Sequence, residues 1–176
     1  MFQADGRRVT ADEHCARQLS ASDVWLAVRA GQKHLVHPKL VGDATEAMVI
    51  ARLVQAGKNV LLPFGENRRY DLVIDEGDHF VRVQCKTGRL RSGAIRFNTC
   101  SSTYHHPNNQ GTKAYHRGYA GEADLFGVYV RENDRVYLIP VTQVGTREGV
   151  LRVDPSRNNQ SARVRWARDF EVPRPG

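Results

Sequence analysis

No acidic residue occurs between His79 and Gly121, although that stretch carries Arg82, Lys86, Arg89, Arg91, Arg96, Lys113 and Arg117. A segment with one sign of charge disfavours a cationic partner and suits a polyanion. The whole chain leans the same way, with a net charge of +7 over 176 residues. On charge alone, a merely solvated basic surface remains the alternative. Long apolar runs are missing as well. None approaches the roughly 18–20 residues of a membrane span, so no membrane partner is expected. The opening residues, MFQADGRRVTADEH, lack the apolar core of a signal peptide. Cysteine is scarce: Cys15, Cys85 and Cys100 are odd in number and scattered, with no CxxC pair. That argues against a disulfide framework and a zinc ribbon, and leads us to expect a cytoplasmic, reducing setting.

Residues 1–37 read as a helical N-terminal extension. Thr10-x-x-Glu13 fits a capping box, Ser20-x-x-Asp23 weakly repeats it, and Gly31 is a natural stop. Two short helices around a polar turn fit a helix-turn-helix, with SDVWLAVRAGQK reading DNA. A structural or oligomer-forming appendage fits as well. The HPK around Pro38 is expected to close this region, leaving residues 38–176 as the main domain.

Within that domain, VGDATEAMVIARLVQAGKNVLLPF reads as a helix stopped at Gly57, then a short buried strand stopped by Pro63. Two strands around the turn DEGD pair as a hairpin. A long basic loop follows, then strands DLFGVYV and RVYLIPV around ENDR, and a basic tail. This order predicts an α/β domain with a central mixed β-sheet flanked by helices.

The segment RRYDLVIDEGDHFVRVQCKTG, Arg68 to Gly88, carries the chemistry. Strand side chains alternate between faces, so Val81, Val83 and Cys85 read as core while Arg82, Gln84 and Lys86 share the other face. Asp71, at the start of the partner strand, can face the same point as Gln84. Magnesium is a hard ion that takes oxygen ligands, often one or two carboxylates completed by water and phosphate. Asp71, the Gln84 amide oxygen and the backbone carbonyl of Cys85 suit it. Glu46 heads the apolar stripe Val49, Ile50 and Leu53, where an unpaired charge is costly. It reads as a second carboxylate ligand, with a salt bridge to an arginine as the alternative. Lys86 would sit beside the attacking water and the scissile phosphate, orienting the one or stabilising charge on the other.

RYDLVID, VQCKTGR and FNTCSSTY, with GEADLFGVYVRENDRVYLIPV, resemble the PD-(D/E)xK nucleases associated with bacterial group I introns. These belong to the restriction-endonuclease-like superfamily, and the resemblance covers roughly residues 40 to 170. It implies a restriction-endonuclease-like core and a catalytic set of Glu46, Asp71, Gln84 and Lys86. It also implies Mg²⁺-dependent cleavage of double-stranded DNA, with Mn²⁺ as a substitute, by a homo-oligomer, dimer or tetramer. Gln84 stands where the superfamily motif has an acid, and the intron-type members are similar in carrying QxK. Two other readings stay open. One is a Holliday-junction-type or repair nuclease of the same fold; the other is a catalytically inactive DNA-binding module.

The DNA-contacting residues are expected to be Arg89, Arg91, Arg96, Lys113 and Arg117 in the basic loop, and Arg163 and Arg165 in the tail. The insert HHPNNQGTKAYHRG, with His105, His106 and His116, reads as a mobile basic loop on DNA, with an ordinary surface loop as the alternative, ahead of a metal site. Tyr104, Tyr115 and Tyr119 read as core or rim residues, and Cys85 and Cys100 as small buried ones. Asp124 reads as structural, or as an ion-pair partner for the basic stretch.

Overall fold

The protein is described here from a computed structural model, over residues 37–65, 68–105, 113–155 and 164–174. The helix pair expected in the N-terminal extension, together with His106 and Arg163, lies outside the described residues.

The first described element is helix α1, Pro38–Gln55. Pro38 opens this helix instead of closing the preceding region. Proline suits the first helical position, where its missing N–H is not needed, and the His37 ring accepts from Lys39 N. Thr45, Val49, Arg52 and Leu53 recur at helical spacing and form the buried face. The helix ends where Gly57 takes a φ of +77°, a conformation that favours glycine, and Lys58 N closes back on Leu53 O.

Nine strands follow among the described residues: β1 Asn59–Leu61, β2 Leu72–Asp75, β3 Phe80–Arg91, β4 Ala94–Asn98, β5 Ser101–His105, β6 Lys113–Arg117, β7 Leu125–Val130, β8 Arg135–Pro140 and β9 Glu148–Arg152. Seven form one mixed sheet, and β5 and β6 form a separate two-stranded ribbon. The hub is β3, paired antiparallel with β2 and β4 and parallel with β7. The parallel β3–β7 ladder makes the sheet mixed, and β7 returns antiparallel through β8.

Two apolar clusters lie on the faces of this sheet. Val49 and Leu53 of α1 pack with Leu72, Ile74, Val83 and Cys85. The other cluster gathers Ile95, Phe97, Tyr119, Phe126, Val128, Tyr137, Ile139 and Leu151. The alternation read along β3 therefore holds, with Val83 and Cys85 facing the helix.

Three expectations change. The strand after Gly57, β1, sits at the sheet edge with Leu61 exposed, because among the described residues it pairs only with β2. The basic loop after Lys86 is mostly strand: β3 runs on to Arg91, turns through Ser92 and Gly93, both at positive φ, and continues into β4. That two-residue turn has the twist a tight hairpin needs. Finally, α1 is the one α-helix among the described residues, where helices were expected to flank the sheet. The remaining helical pieces are single 3-10 turns at Val141–Gln143 and Ala167–Phe170.

Candidate active site

The site arises where β3 changes neighbours. β2 pairs with it only as far as Val83, and β4 only from Arg89 onward. Over Gln84–Gly88, β7 is its one strand partner among the described residues. Backbone left on an open flank inside a fold needs other partners. Asp71 supplies one. Its own N–H donates to Val83 O at 2.9 Å, and its Oδ2 accepts the N–H of Cys85 at 2.6 Å. The same oxygen accepts from Gln84 Nε2 at 2.5 Å. A side chain thus replaces the missing strand, and the DLVID and VQCK segments meet at one carboxylate.

Burial, the largest cause, raises the Asp71 carboxyl above the usual carboxylate range, against the pull of the Cys85 N–H, the Lys86 ammonium and the Gln84 amide. Glu46, about two turns into α1, is raised too, by burial first and then by repulsion from Asp71 and Asp43. Neither Glu46 nor Asp71 forms an ion pair of its own among the described residues, so the arginine partner considered for Glu46 is not found there. The buried Cys85 thiol is pushed well up, again by burial and then by Asp71 and Glu46, which keeps it a neutral thiol.

Gln84 points its amide nitrogen, not its oxygen, at Asp71. It holds the carboxylate in this orientation. A half-turn of the amide exchanges the two atoms without changing its shape.

Lys86 lies on the opposite face of β3 from Cys85, and its Nζ donates to the Tyr119 hydroxyl at 2.9 Å. The Arg69 guanidinium stacks on the same ring, 4.1 Å from its centroid. The sequence marked Tyr119 only as a core or rim residue and did not single out Arg69. Tyr119 sits 33 residues beyond Lys86 in a glycine-rich turn, and nothing local marks it as the lysine's partner. On the helix side, Thr45 Oγ1 and Thr87 Oγ1 share a 2.7 Å hydrogen bond that ties α1 to β3 beside the site.

The expected DNA contacts divide into free and committed groups. Arg89 and Arg91 are exposed on β3 and Arg165 near the C-terminus. Arg96 pairs with Glu148 at 2.6 Å, and Arg117 pairs with Glu122. Lys113 begins β6. Arg82 makes a forked pair with Asp124, bonds of 2.8 and 3.0 Å, so Asp124 is an ion-pair partner for the basic stretch. His116, on β6, contacts Ser102 Oγ at 3.1 Å and Cys100 Sγ at 3.7 Å. No group of three His, Cys, Asp or Glu side chains suited to a metal occurs among the described residues.

Residues 36–173 match the family described as PD-(D/E)XK endonuclease. The chain belongs to that family. The nuclease is also similar to a solved structure, a bacterial homing endonuclease, I-Ssp6803I, at 23% identity and a TM-score of 0.59. That match covers 77% of the nuclease and 89% of the other chain, and it speaks for the fold. No curated protein matches the nuclease.

The donor set fits the divalent cation that this family's chemistry implies. Glu46 and Asp71 repel one another, Asp71 Oδ1 takes no hydrogen bond among the described residues, and the two carboxylates with the Gln84 amide and the Cys85 carbonyl offer oxygen donors. Hard ions such as Mg²⁺ prefer such a set.

Proposed function

We propose that this PD-(D/E)XK nuclease is a metal-dependent endonuclease that hydrolyses double-stranded DNA at a specific site, in the manner of a homing enzyme. The observation that carries the reading is the mutual repulsion of Glu46, on α1, and Asp71, at the strand junction that also presents Lys86, both half-buried and without an ion-pair partner among the described residues. Burying like charges together is costly, and a divalent cation between them removes the cost.

In this reading Asp71, Glu46 and the Cys85 carbonyl hold Mg²⁺, with Mn²⁺ as a substitute, and Gln84 braces Asp71 or adds its oxygen. When bound, the cation neutralises charge that builds on the phosphate and leaving oxygens. Lys86 directs its ammonium at the attacking water and the scissile phosphate. The water oxygen bonds to phosphorus as the bond to the 3′ oxygen breaks. The water's protons pass to solvent and to the leaving oxygen, giving a 5′-phosphate and a 3′-hydroxyl.

Arg89, Arg91, Arg96, Lys113, Arg117, Arg163 and Arg165 give this reading its phosphate contacts, which supply affinity and register but no sequence. One small chain reads a short site, so a long target requires symmetry and hence a homo-oligomer, dimer or tetramer. The N-terminal extension, residues 1–37, then serves either DNA reading or assembly. The setting is the cytoplasm, and no described helix is long and apolar enough to cross a membrane.

Incubating the protein with supercoiled and genomic DNA in Mg²⁺, Mn²⁺ or chelator tests this directly. The reading expects cation-dependent cuts at one mapped sequence. Cutting that persists in chelator, or cuts scattered without sequence preference, would sink it.

A further inference from the structure

We infer that Tyr119 is a positioning residue for Lys86, and that Arg69 locks Tyr119 in place. This rests on Lys86 acting in the cleavage proposed above. A lysine has four rotatable bonds and a mobile head, and aiming it at one phosphate costs entropy unless something holds it. Here the Tyr119 hydroxyl accepts from Lys86 Nζ at 2.9 Å, leaving the other two N–H groups for water and phosphate.

Tyr119 is itself fixed in four ways. It is 5% exposed, so its ring has little room to swing. Its edge meets Phe126 at 5.6 Å and 87°. A tight turn, with Glu122 N and Ala123 N both donating to Tyr119 O, sets its backbone. The Arg69 guanidinium lies over the ring, 4.1 Å from its centroid.

Arg69 is committed to this task. Its Nε donates to Glu122 Oε2 at 2.9 Å, Nη1 to Ser101 Oγ at 2.9 Å, and Nη2 to Gly118 O at 2.7 Å. An arginine two residues from the metal-facing Asp71 would ordinarily be read as a phosphate ligand. Its donors are spent instead on Ser101 of β5 and on the turn that carries Tyr119. The RRYD stretch therefore places both halves of the site: Asp71 toward Gln84 and Cys85, and Arg69, through Tyr119, toward Lys86.

Tyr119→Phe in the full chain tests the inference, since it keeps the ring and deletes only the hydroxyl. Two readouts are needed. In ¹H–¹⁵N spectra the Lys86 ammonium, assigned by its absence in Lys86→Arg, should be visible in wild type because the hydrogen bond slows its exchange. It should vanish in Tyr119→Phe. Single-turnover cleavage should fall about 10- to 100-fold, the worth of a hydrogen bond to a charged group, while DNA affinity and melting temperature hold. Arg69→Lys, which keeps the hydroxyl and the charge but loses the planar stack, should lower the rate about 3- to 10-fold.

An unchanged ammonium signal, or wild-type cleavage by both variants, would overturn the inference. Loss of the signal in a protein whose wild type cuts no DNA would support the contact and sink the cleavage reading instead.

Discussion

The carboxylate of Asp71 stands in for a strand: its Oδ2 accepts the N–H of Cys85, 14 residues further along the chain, at 2.6 Å. One oxygen thereby satisfies the open flank of β3, and the other is left for the site. Removing the charge and removing the hydrogen bond are separable experiments.

Asp71→Asn keeps the shape and an acceptor for Cys85 N but loses the anion. We expect cleavage to drop at least about 100-fold with the fold intact, whereas Asp71→Ala should also cost about 1–3 kcal/mol by leaving Cys85 N unpaired. Single-turnover rates beside urea unfolding of both variants separate the two losses.

The metal-free protein should be weakened by the same carboxylates as pH rises. Asp71 and Glu46 both have folded values raised above their ordinary ones. A raised carboxyl binds its proton more tightly when folded, so its contribution favours the fold at low pH. That contribution is lost as pH climbs from the ordinary carboxylate value through the raised one. In chelator, wild type should lose stability relative to Asp71→Asn over that window, the surface ion pairs cancelling in the difference. Mg²⁺ at about 100 times its dissociation constant should return about 2.7 kcal/mol to wild type and none to the variant. Melting curves across pH, with and without the cation, check both halves.

Arg89 and Arg91 should matter more for DNA affinity than Arg96 and Arg117. The first pair is exposed on β3, while Glu148 and Glu122 already neutralise the second. Deleting one arginine that binds a phosphate should lessen the slope of log K against log salt by about 0.9, so the Arg89→Ala, Arg91→Ala double variant should lose nearly two. Binding of a random duplex from about 50 to 200 mM salt measures it. A slope change as large in Arg96→Ala would contradict the division.

Gly88 follows the site on β3, and a Cβ there would lie 2.7 Å from a Val130 methyl and 2.8 Å from one of Val128. Both methyls are packed into the core beside Ile95, so there is little slack. Gly88→Ala should destabilise by about 1–3 kcal/mol, read from chemical unfolding.

Much of this arrangement could be read along the chain. The seven-residue alternation Phe80–Lys86 put Cys85 and Lys86 on opposite faces, and the apolar stripe from Glu46 to Leu53 set the helix. These signals are local and periodic. What stayed hidden depends on contacts between distant segments. Pro38 read as a stop because proline marks both a helix's beginning and its preceding break. The loop after Lys86 read as coil because arginines at alternate positions, Arg89 and Arg91, look like polarity rather than pattern. Tyr119 read only as a core or rim residue and Arg69 carried no signal, since their partnership exists only once the turn at Gly118–Glu122 folds against β3.

Cleavage of a mapped target by wild type, Asp71→Asn and Lys86→Ala in Mg²⁺ tests the central claim most directly. Loss of cutting in both variants, with the fold and DNA binding retained, is the predicted result. Undiminished cutting by either would contradict it and move the chemistry to another part of the molecule.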